Sequence, residues 1–388
     1  MRKRVALVGV GMQKYASRRP DTVEEMVYDV AKKALLDAKL PPQAIDAVVF
    51  GSAVDAFCGI HNSDKLIVEA SAGLCKPTIR NSTSGSTAVS TPILAYTHVA
   101  SGLFNVVMVI CYEKMSENPA PQMVFNTVYD EAFVRQIGLN VPIQCGLEAR
   151  AYLHRYGITE LQMAKVSVKN HTNALFNPYA QLGMNITVED VLNAPYISWP
   201  VKRLDTSPTT DGARALIFAS EDVVRDITDD PIWVKGIGRG ADSCWFMGRR
   251  NNDLGRLDYA YLAAKQAYEM AGIRNPAEEI DVAEVYDPFT FKEMQHCEAL
   301  GLCPEGGAGW MIDEGISLKD GKLPVNPSGG LLGEGNPIGA GMSRLSWAYL
   351  QVRGDAGDCQ VPKDVNTAVA NAWGGMYQYN AVMVIGRD

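Results

Sequence analysis

A weak internal repeat constrains the fold of this chain more than any other feature. The first half opens with an apolar run, Arg4-Val-Ala-Leu-Val-Gly-Val-Gly11. It passes through a polar stretch and an Ala-rich helical segment into Ala44-Ile-Asp-Ala-Val-Val-Phe-Gly51. The second half opens with Trp233-Val-Lys-Gly-Ile-Gly238 and runs the same course to Glu279-Ile-Asp-Val-Ala-Glu-Val-Tyr286. The helical segments share a spacing: Ala31, Lys32, Ala34 and Ala38 against Ala264, Lys265, Ala267 and Ala271. A continuous apolar run marks a strand buried on both faces. Asn105-Val-Val-Met-Val-Ile110 reads as one, with Asn366-Thr-Ala-Val-Ala-Asn371 as its counterpart and Ala381-Val-Met-Val-Ile385 as a closing strand. Two strand–helix–strand copies predict two stacked α/β halves, residues 1–230 and 231–388. The competing arrangement is a single doubly wound sheet with coincidental Ile-Asp turns. Neither the Gly9/Gly11 nor the Gly236/Gly238 pair is a nucleotide fingerprint, because no third glycine follows in register before a helix.

Between the halves, about residues 130–196, lies a mostly helical insertion. Gln144–Tyr156 and Thr159–Ala174 have helical periodicity, and Thr187 is a candidate N-cap for a further short helix. A hydrophobic content of 47% with 21% charged residues is that of a soluble globular enzyme. The net charge of −8 argues against nucleic acid as a partner, although a local basic patch or helix N-terminus can still hold an anion. No two of the eight cysteines form a CxxC pair, so no metal is expected in this chain. No stretch approaches the roughly 18 apolar residues of a membrane span. The apolar run after Met1 is too short for a signal peptide and reads as a first strand. These features predict a cytoplasmic protein with reduced thiols.

The second half carries the more specific motifs. Asp281-Val-Ala-Glu-Val-Tyr-Asp-Pro-Phe-Thr290 precedes a helix and Leu300-Gly-Leu-Cys-Pro-Glu-Gly-Gly307. Leu323-Pro-Val-Asn-Pro-Ser-Gly-Gly330, Gly335-Asn-Pro-Ile-Gly-Ala-Gly341 and Asn371-Ala-Trp-Gly-Gly375 follow. The first half contributes Ser82-Thr-Ser-Gly-Ser86, Cys111-Tyr-Glu-Lys-Met115, Tyr152-Leu-His-Arg-Tyr-Gly157, Asn177-Pro178 and Leu204-Asp-Thr-Ser-Pro-Thr-Thr-Asp-Gly-Ala213. In order and spacing this resembles the thiolase superfamily along nearly the whole chain, in particular the thiolases related to sterol carrier protein 2. The resemblance implies a five-layered αβαβα architecture, a homodimeric core and a coenzyme A thioester as ligand.

A thiolase cleaves the Cα–Cβ bond of a 3-oxoacyl-CoA with a nucleophile, an acid/base and donors for two oxyanions. By the resemblance, the nucleophilic cysteine falls at Ser82. A serine hydroxyl is a much weaker nucleophile without an adjacent base, and the other reading of Ser82 is a helix N-cap. The family's Gly-His-Pro turn is here Gly335-Asn336-Pro337. Asparagine can donate to an oxyanion but cannot take a proton; the alternative is a turn-filling residue. The family's third centre becomes Tyr286-Asp287-Pro288-Phe289, where Tyr286 is either a phenolic donor or a buried strand-end tyrosine. The fourth falls at Asn371. Gly330, Gly335 and Gly375 mark turns that let backbone approach coenzyme A. None of His61, His98, His154, His171 and His296 lies in these turns. Cys111 is the best thiol outside them, although a buried cysteine is usually inert.

Three functions are compatible with these residues. The first is a thiolase-type acyltransferase acting on a bulky 3-oxoacyl-CoA, branched or aromatic, as in the benzoylsuccinyl-CoA thiolases. The second is a retro-aldol lyase acting on a 3-hydroxyacyl-CoA of the steroid side-chain type, which needs no covalent nucleophile. The third is a non-catalytic acyl-CoA-binding subunit. The expectation leans narrowly to the first. Both atypical groups resemble systems in which the thiolase-like chain works with a small zinc-ribbon and OB-fold partner.

Overall fold

The computed structural model describes residues 2–244, 253–375 and 378–388. Its first run of elements is β1 (Val5–Met12), α1 (Val23–Asp37), β2 (Ala47–Gly51), β3 (Thr78–Asn81), α2 (Thr87–Ala100) and β4 (Val106–Lys114). The insertion helices α3 (Val141–Tyr156), α4 (Glu160–Ala174) and α5 (Val188–Asn193) follow, then β5 (Asp211–Ser220). The second run is β6 (Ile232–Ala241), α6 (Asp258–Ala271), β7 (Val282–Glu284), α7 (Thr290–Ala299), α8 (Ser343–Arg353), β8 (Thr367–Gly374) and β9 (Tyr379–Gly386).

The strands line up as β3-β2-β4-β5-β1-β6-β9-β8-β7. Read outward from the centre, β1-β5-β4-β2 and β6-β9-β8-β7 are the same order, with the same parallel and antiparallel pairings. Among the described residues the second half has no full counterpart of β3; a single parallel bridge, Ala283 to Val325, stands in its place. Within the sheet the halves are joined by Ala6 opposite Trp233 and Leu7 opposite Ile232. Helices α2 and α8 each contact strands of both halves, while α1 packs on the first half and α6 on the second. That gives the αβαβα layering, with α2 and α8 in the middle. Strand β4 shows why: Val107, Val109 and Cys111 face the core shared with α2, and Met108, Ile110 and Tyr112 face the core under α1.

The paired glycines belong to this packing. A Cβ on Gly11 would lie inside contact distance of the Val30 carbonyl oxygen on α1; one on Gly238 would do the same to Ala263 on α6. The shared Gly and Ala spacing is thus the close fit of one helix on one strand, made twice. We expect Gly238→Ala to destabilise the protein by about 3 kcal/mol, through strand–helix overpacking. Urea unfolding would show it as a lowered midpoint at unchanged slope. An unchanged midpoint would mean that α6 can lift away freely.

The insertion helices begin where their caps set them. Thr159 and Thr187 each form a reciprocal capping box, with Gln162 and Asp190. Helix α3 starts at Val141, three residues earlier than its periodicity predicts, because Asn140 caps it and Pro142 sits in its first turn. Helix α4 then reaches the second half: Lys169 pairs with Glu293 at 2.9 Å, and Asn170 donates to Asp287 at 2.8 Å. Among the described residues no helix is long and apolar enough to cross a membrane.

Candidate active site

Tyr286 lies two residues beyond the end of β7 and is fully buried. Three contacts place it. Its backbone N–H donates to Asn371 Oδ1 at 2.9 Å. Its carbonyl accepts from His296 Nδ1 at 2.8 Å. Its hydroxyl donates to Asn336 Oδ1 at 3.0 Å and lies 3.4 Å from the Ile338 carbonyl. Burial holds the phenol far above its ordinary pKa, so it stays a neutral donor. His296 is held neutral too. Burial and the charge of Lys292 push it down to about 3. The Tyr286 carbonyl makes Nδ1 the protonated nitrogen, leaving Nε2 to accept from Asn380 at 3.3 Å.

Asn336 sits in the turn between Glu334 and Pro337. Gly335 precedes it at φ 117°, a conformation open essentially to glycine alone. The Asn336 N–H donates to Thr210 Oγ1 at 3.1 Å, and Nδ2 faces Ser207 Oγ at 3.4 Å. The turn is anchored from below by Glu334, which accepts from Arg214, Arg344 and Trp347 in the core.

Tyr286 and Asn336 both open into a cavity of about 170 Å³. Its wall is assembled from Ser84–Gly85, Met115, Phe125, Val141–Pro142, Thr206–Thr209, Pro288–Phe289, Ile338 and Trp373–Gly375. Loops from both halves and the first turn of α3 therefore converge here. The described lining residues include no cysteine, histidine, lysine, arginine, aspartate or glutamate. What they offer is hydroxyls, amides and backbone, which can hold an oxyanion by hydrogen bonds.

The other residues singled out from the sequence lie as follows. Ser82 is exposed, does not line the cavity, and donates its hydroxyl to the Ala53 carbonyl. It does not cap α2 either, since Ser86 occupies that place. Ser84, two residues on, is on the wall, at φ 55°. Asn371 is buried within β8, bonded to the Tyr286 backbone and, at 3.5 Å, to Asn380; it supports the tyrosine from behind. Gly330 packs on the Asp287 carboxylate, and Gly335 on Thr210; neither lines the cavity, whereas Gly375 does. Cys111 is buried away from the cavity, and burial raises its thiol well out of the reactive range. His296, Ser84 and Glu113 were not selected from the sequence. Glu113 lay within a quoted motif, but nothing in its neighbours marks it as buried. Among the described residues no cluster of three or more His, Cys, Asp or Glu could hold a metal ion.

Comparison with known proteins agrees with this fold. The thiolase N-terminal domain model matches residues 5–191, and the thiolase C-terminal domain-like model matches residues 247–387. An acetyl-CoA acetyltransferase of Methanothermobacter thermautotrophicus is 34% identical over 362 residues, covering 92% of this chain and 93% of its own. Sterol carrier protein 2 of Bos taurus is 32% identical over 383 residues, covering 93% and 68%. A steroid side-chain-cleaving aldolase of Thermomonospora curvata is 29% identical over 387 residues, covering 96% and 95%. Among solved structures, the Ltp2-ChsH2(DUF35) aldolase superposes with a TM-score of 0.86 at 27% identity, covering 100% of this chain and 98% of that one.

Proposed function

Since the chain belongs to the thiolase family, we propose that it cleaves the Cα–Cβ bond of a 3-oxygenated acyl-CoA without forming an acyl-enzyme on cysteine. Its favoured reaction on this reading is retro-aldol cleavage of a 3-hydroxyacyl-CoA. One observation carries the reading: the polar groups around the cavity are neutral hydrogen-bonding ones, with Tyr286 and Asn336 at their centre. In such a cleavage the 3-hydroxyl proton passes to water and Cβ leaves as an aldehyde or ketone. The bonding electrons move onto the thioester as an enolate, which is protonated at Cα. Tyr286 and the Asn336 amide would donate to the enolate oxygen, and Ser84 and Ser207 would hydrogen-bond the departing carbonyl. Similarity to the two aldolases supports this form.

The wall also supports a substrate class. Met115, Phe125, Phe289 and Trp373 surround about 170 Å³. That is close to the roughly 150 Å³ of an apolar protein cavity able to take up benzene. A single aromatic ring or a short branched acyl group fits that volume. A second reading, thiolytic cleavage in which coenzyme A attacks a 3-oxoacyl-CoA directly, is favoured by similarity to the acetyl-CoA acetyltransferase.

One experiment separates them. The protein is given a phenyl-bearing 3-hydroxyacyl-CoA and the matching 3-oxoacyl-CoA, each with and without coenzyme A, and products are followed by mass spectrometry. Release of aldehyde or ketone without added coenzyme A is the expected result. Cleavage only of the 3-oxo compound, and only with coenzyme A, establishes the second reading. A stable acyl adduct on the protein would overturn the first.

The proposal extends to assembly: a homodimeric core and a small zinc-ribbon and OB-fold partner, where the Ltp2-ChsH2(DUF35) aldolase neighbour supports the existence of a partner subunit. The exposed Met123, Phe133, Ile137 and Ile143 beside the cavity-lining Phe125 and Val141 support a covering partner. A monomer with full activity when expressed alone would rule this out.

A further inference from the structure

Glu113 is a buried carboxylate that the reading above leaves without a part. It lies near the end of β4 and is 2% exposed. Its Oε2 accepts the Ala53 N–H at 2.8 Å, and the Gly339 N–H is its second backbone donor. These donors come from opposite halves of the chain. Ala53 follows β2, and its carbonyl receives the Ser82 hydroxyl. Gly339 ends the turn that begins at Asn336. Between them Ile338 is held at φ 22°, unfavourable for a β-branched residue, with its carbonyl 3.4 Å from the Tyr286 hydroxyl. Such a conformation persists only where its surroundings enforce it. Gly339 is itself tightly fitted: a Cβ there would sit 2.9 Å from Ser52 Cα and 3.1 Å from Glu113 Oε2.

We propose that Glu113 is a positioning residue, whose carboxyl group clamps the Asn336–Gly339 turn to the end of β2 and so sets the Tyr286–Asn336 pair, and that it does so in its neutral form. The proposal rests on the cleavage reading above for its kinetic consequence. Several titratable groups face Glu113. Cys111 and Tyr112 belong to its own strand; Asp55, Cys58 and Arg80 come from the segment between β2 and α2; Tyr286 comes from the second half. Arg80, the cation among them, is bound to Asp55 at 2.5 Å and Asp64 at 3.4 Å. Burial pushes the Glu113 carboxyl up to about 8, against the pull of its two backbone donors. Below that pH it is protonated, and the carboxyl group still accepts from both N–H groups. Above it, a negative charge stands near Tyr286 and opposes negative charge developing on the substrate oxygen. Activity should fall as pH rises through about 8.

The test uses the whole chain and two variants. Glu113→Gln copies the protonated carboxyl: it keeps the acceptor and cannot ionise. It should hold kcat within about twofold of the wild type at pH 7 and lose the alkaline decline. Glu113→Ala removes the clamp and should lower kcat more than about tenfold at every pH, with a smaller change in KM. An independent reading comes from infrared difference spectra. The carboxylic-acid carbonyl band should vanish near pH 8 in the wild type and be missing from Glu113→Gln. The proposal is overturned if Glu113→Gln keeps the alkaline decline, if it loses as much activity as Glu113→Ala, if Glu113→Ala matches the wild type, or if no such band titrates. Should the wild type cleave no acyl-CoA, the cleavage reading fails by itself and the infrared titration still decides the state of Glu113.

Discussion

Tyr286→Phe should lower kcat for acyl-CoA cleavage about 10²- to 10³-fold, the usual effect of removing one oxyanion donor. KM should move little, because the lost bond matters most once charge has developed on the substrate oxygen. The substitution is nearly isosteric. The ring is buried beside Gly341, where a Cβ would already sit 2.6 Å from Tyr286 Cε2, and phenylalanine keeps that packing. The backbone bonds to Asn371 and His296 do not involve the hydroxyl. A thermal midpoint within a few degrees of the wild type, measured alongside the kinetics, would show that the loss is chemical. The one structural debit is Asn336 Oδ1, left without its 3.0 Å donor. An unchanged kcat would mean that the oxyanion is held elsewhere, with Ser84 and the Asn336 amide as the remaining donors in reach.

The largest loss of stability is expected from Glu334→Ala. Glu334, Arg214 and Arg344 are all fully buried. Glu334 accepts from Arg214 at 2.7 Å, from Trp347 at 3.1 Å, and from Arg344. Removing it leaves two guanidinium groups in the core with part of their charge uncompensated. Arg344 keeps Glu284 and Ser328, and Arg214 keeps the carbonyls of Gln13 and Ala213. Breaking a buried pair from one side costs about 3–5 kcal/mol. Against a total stability of about 5–15 kcal/mol, that places the variant near unfolding. Glu334→Gln, which keeps an acceptor and loses the charge, should fall between. Urea unfolding of the three proteins checks the order. The experiment also bears on the site, because Glu334 directly precedes Gly335 and Asn336. A destabilised but folded variant should lose activity beyond its folded fraction.

How far the site was legible depended on the kind of residue. Tyr286 and Asn336 were legible because the motifs that carry the family resemblance, Tyr286-Asp287-Pro288-Phe289 and Gly335-Asn336-Pro337, are short and contiguous in the chain. Asn371 was found in the same way, yet its side chain turns to the Tyr286 backbone instead of the cavity. Ser82 illustrates the limit. Register along the chain points to it, but the side chain facing the cavity belongs to Ser84. The reason is conformational. Ser84 is at φ 55° and Gly85 meets the Trp373 carbonyl so closely that no Cβ fits. That contact joins two loops nearly three hundred residues apart, and no local pattern contains it. His296 and Glu113 were missed for a related reason. His296 is a helix residue set beside Tyr286 by packing within the second half, and Glu113 is a strand residue of the first half that comes near Tyr286 only where the two halves meet.

The sequence by itself determined the architecture. Glycines and alanines at matched spacing in two places require two strand–helix contacts of the same closeness, and continuous apolar strands require helices on both faces. Such constraints are local, repeated and satisfied by side-chain size alone. The tertiary structure decided the chemistry: which hydroxyl faces the cavity, which asparagine donates and which one supports, and which carboxylate lies close enough to feel the tyrosine. Those outcomes depend on dihedral angles and on contacts between distant segments. Burial then sets the charge of every titratable group around the site. The repeat therefore carried the fold, while the pairing of Tyr286 with Asn336, fifty residues apart within the second half, depended on how the turns of that half pack together.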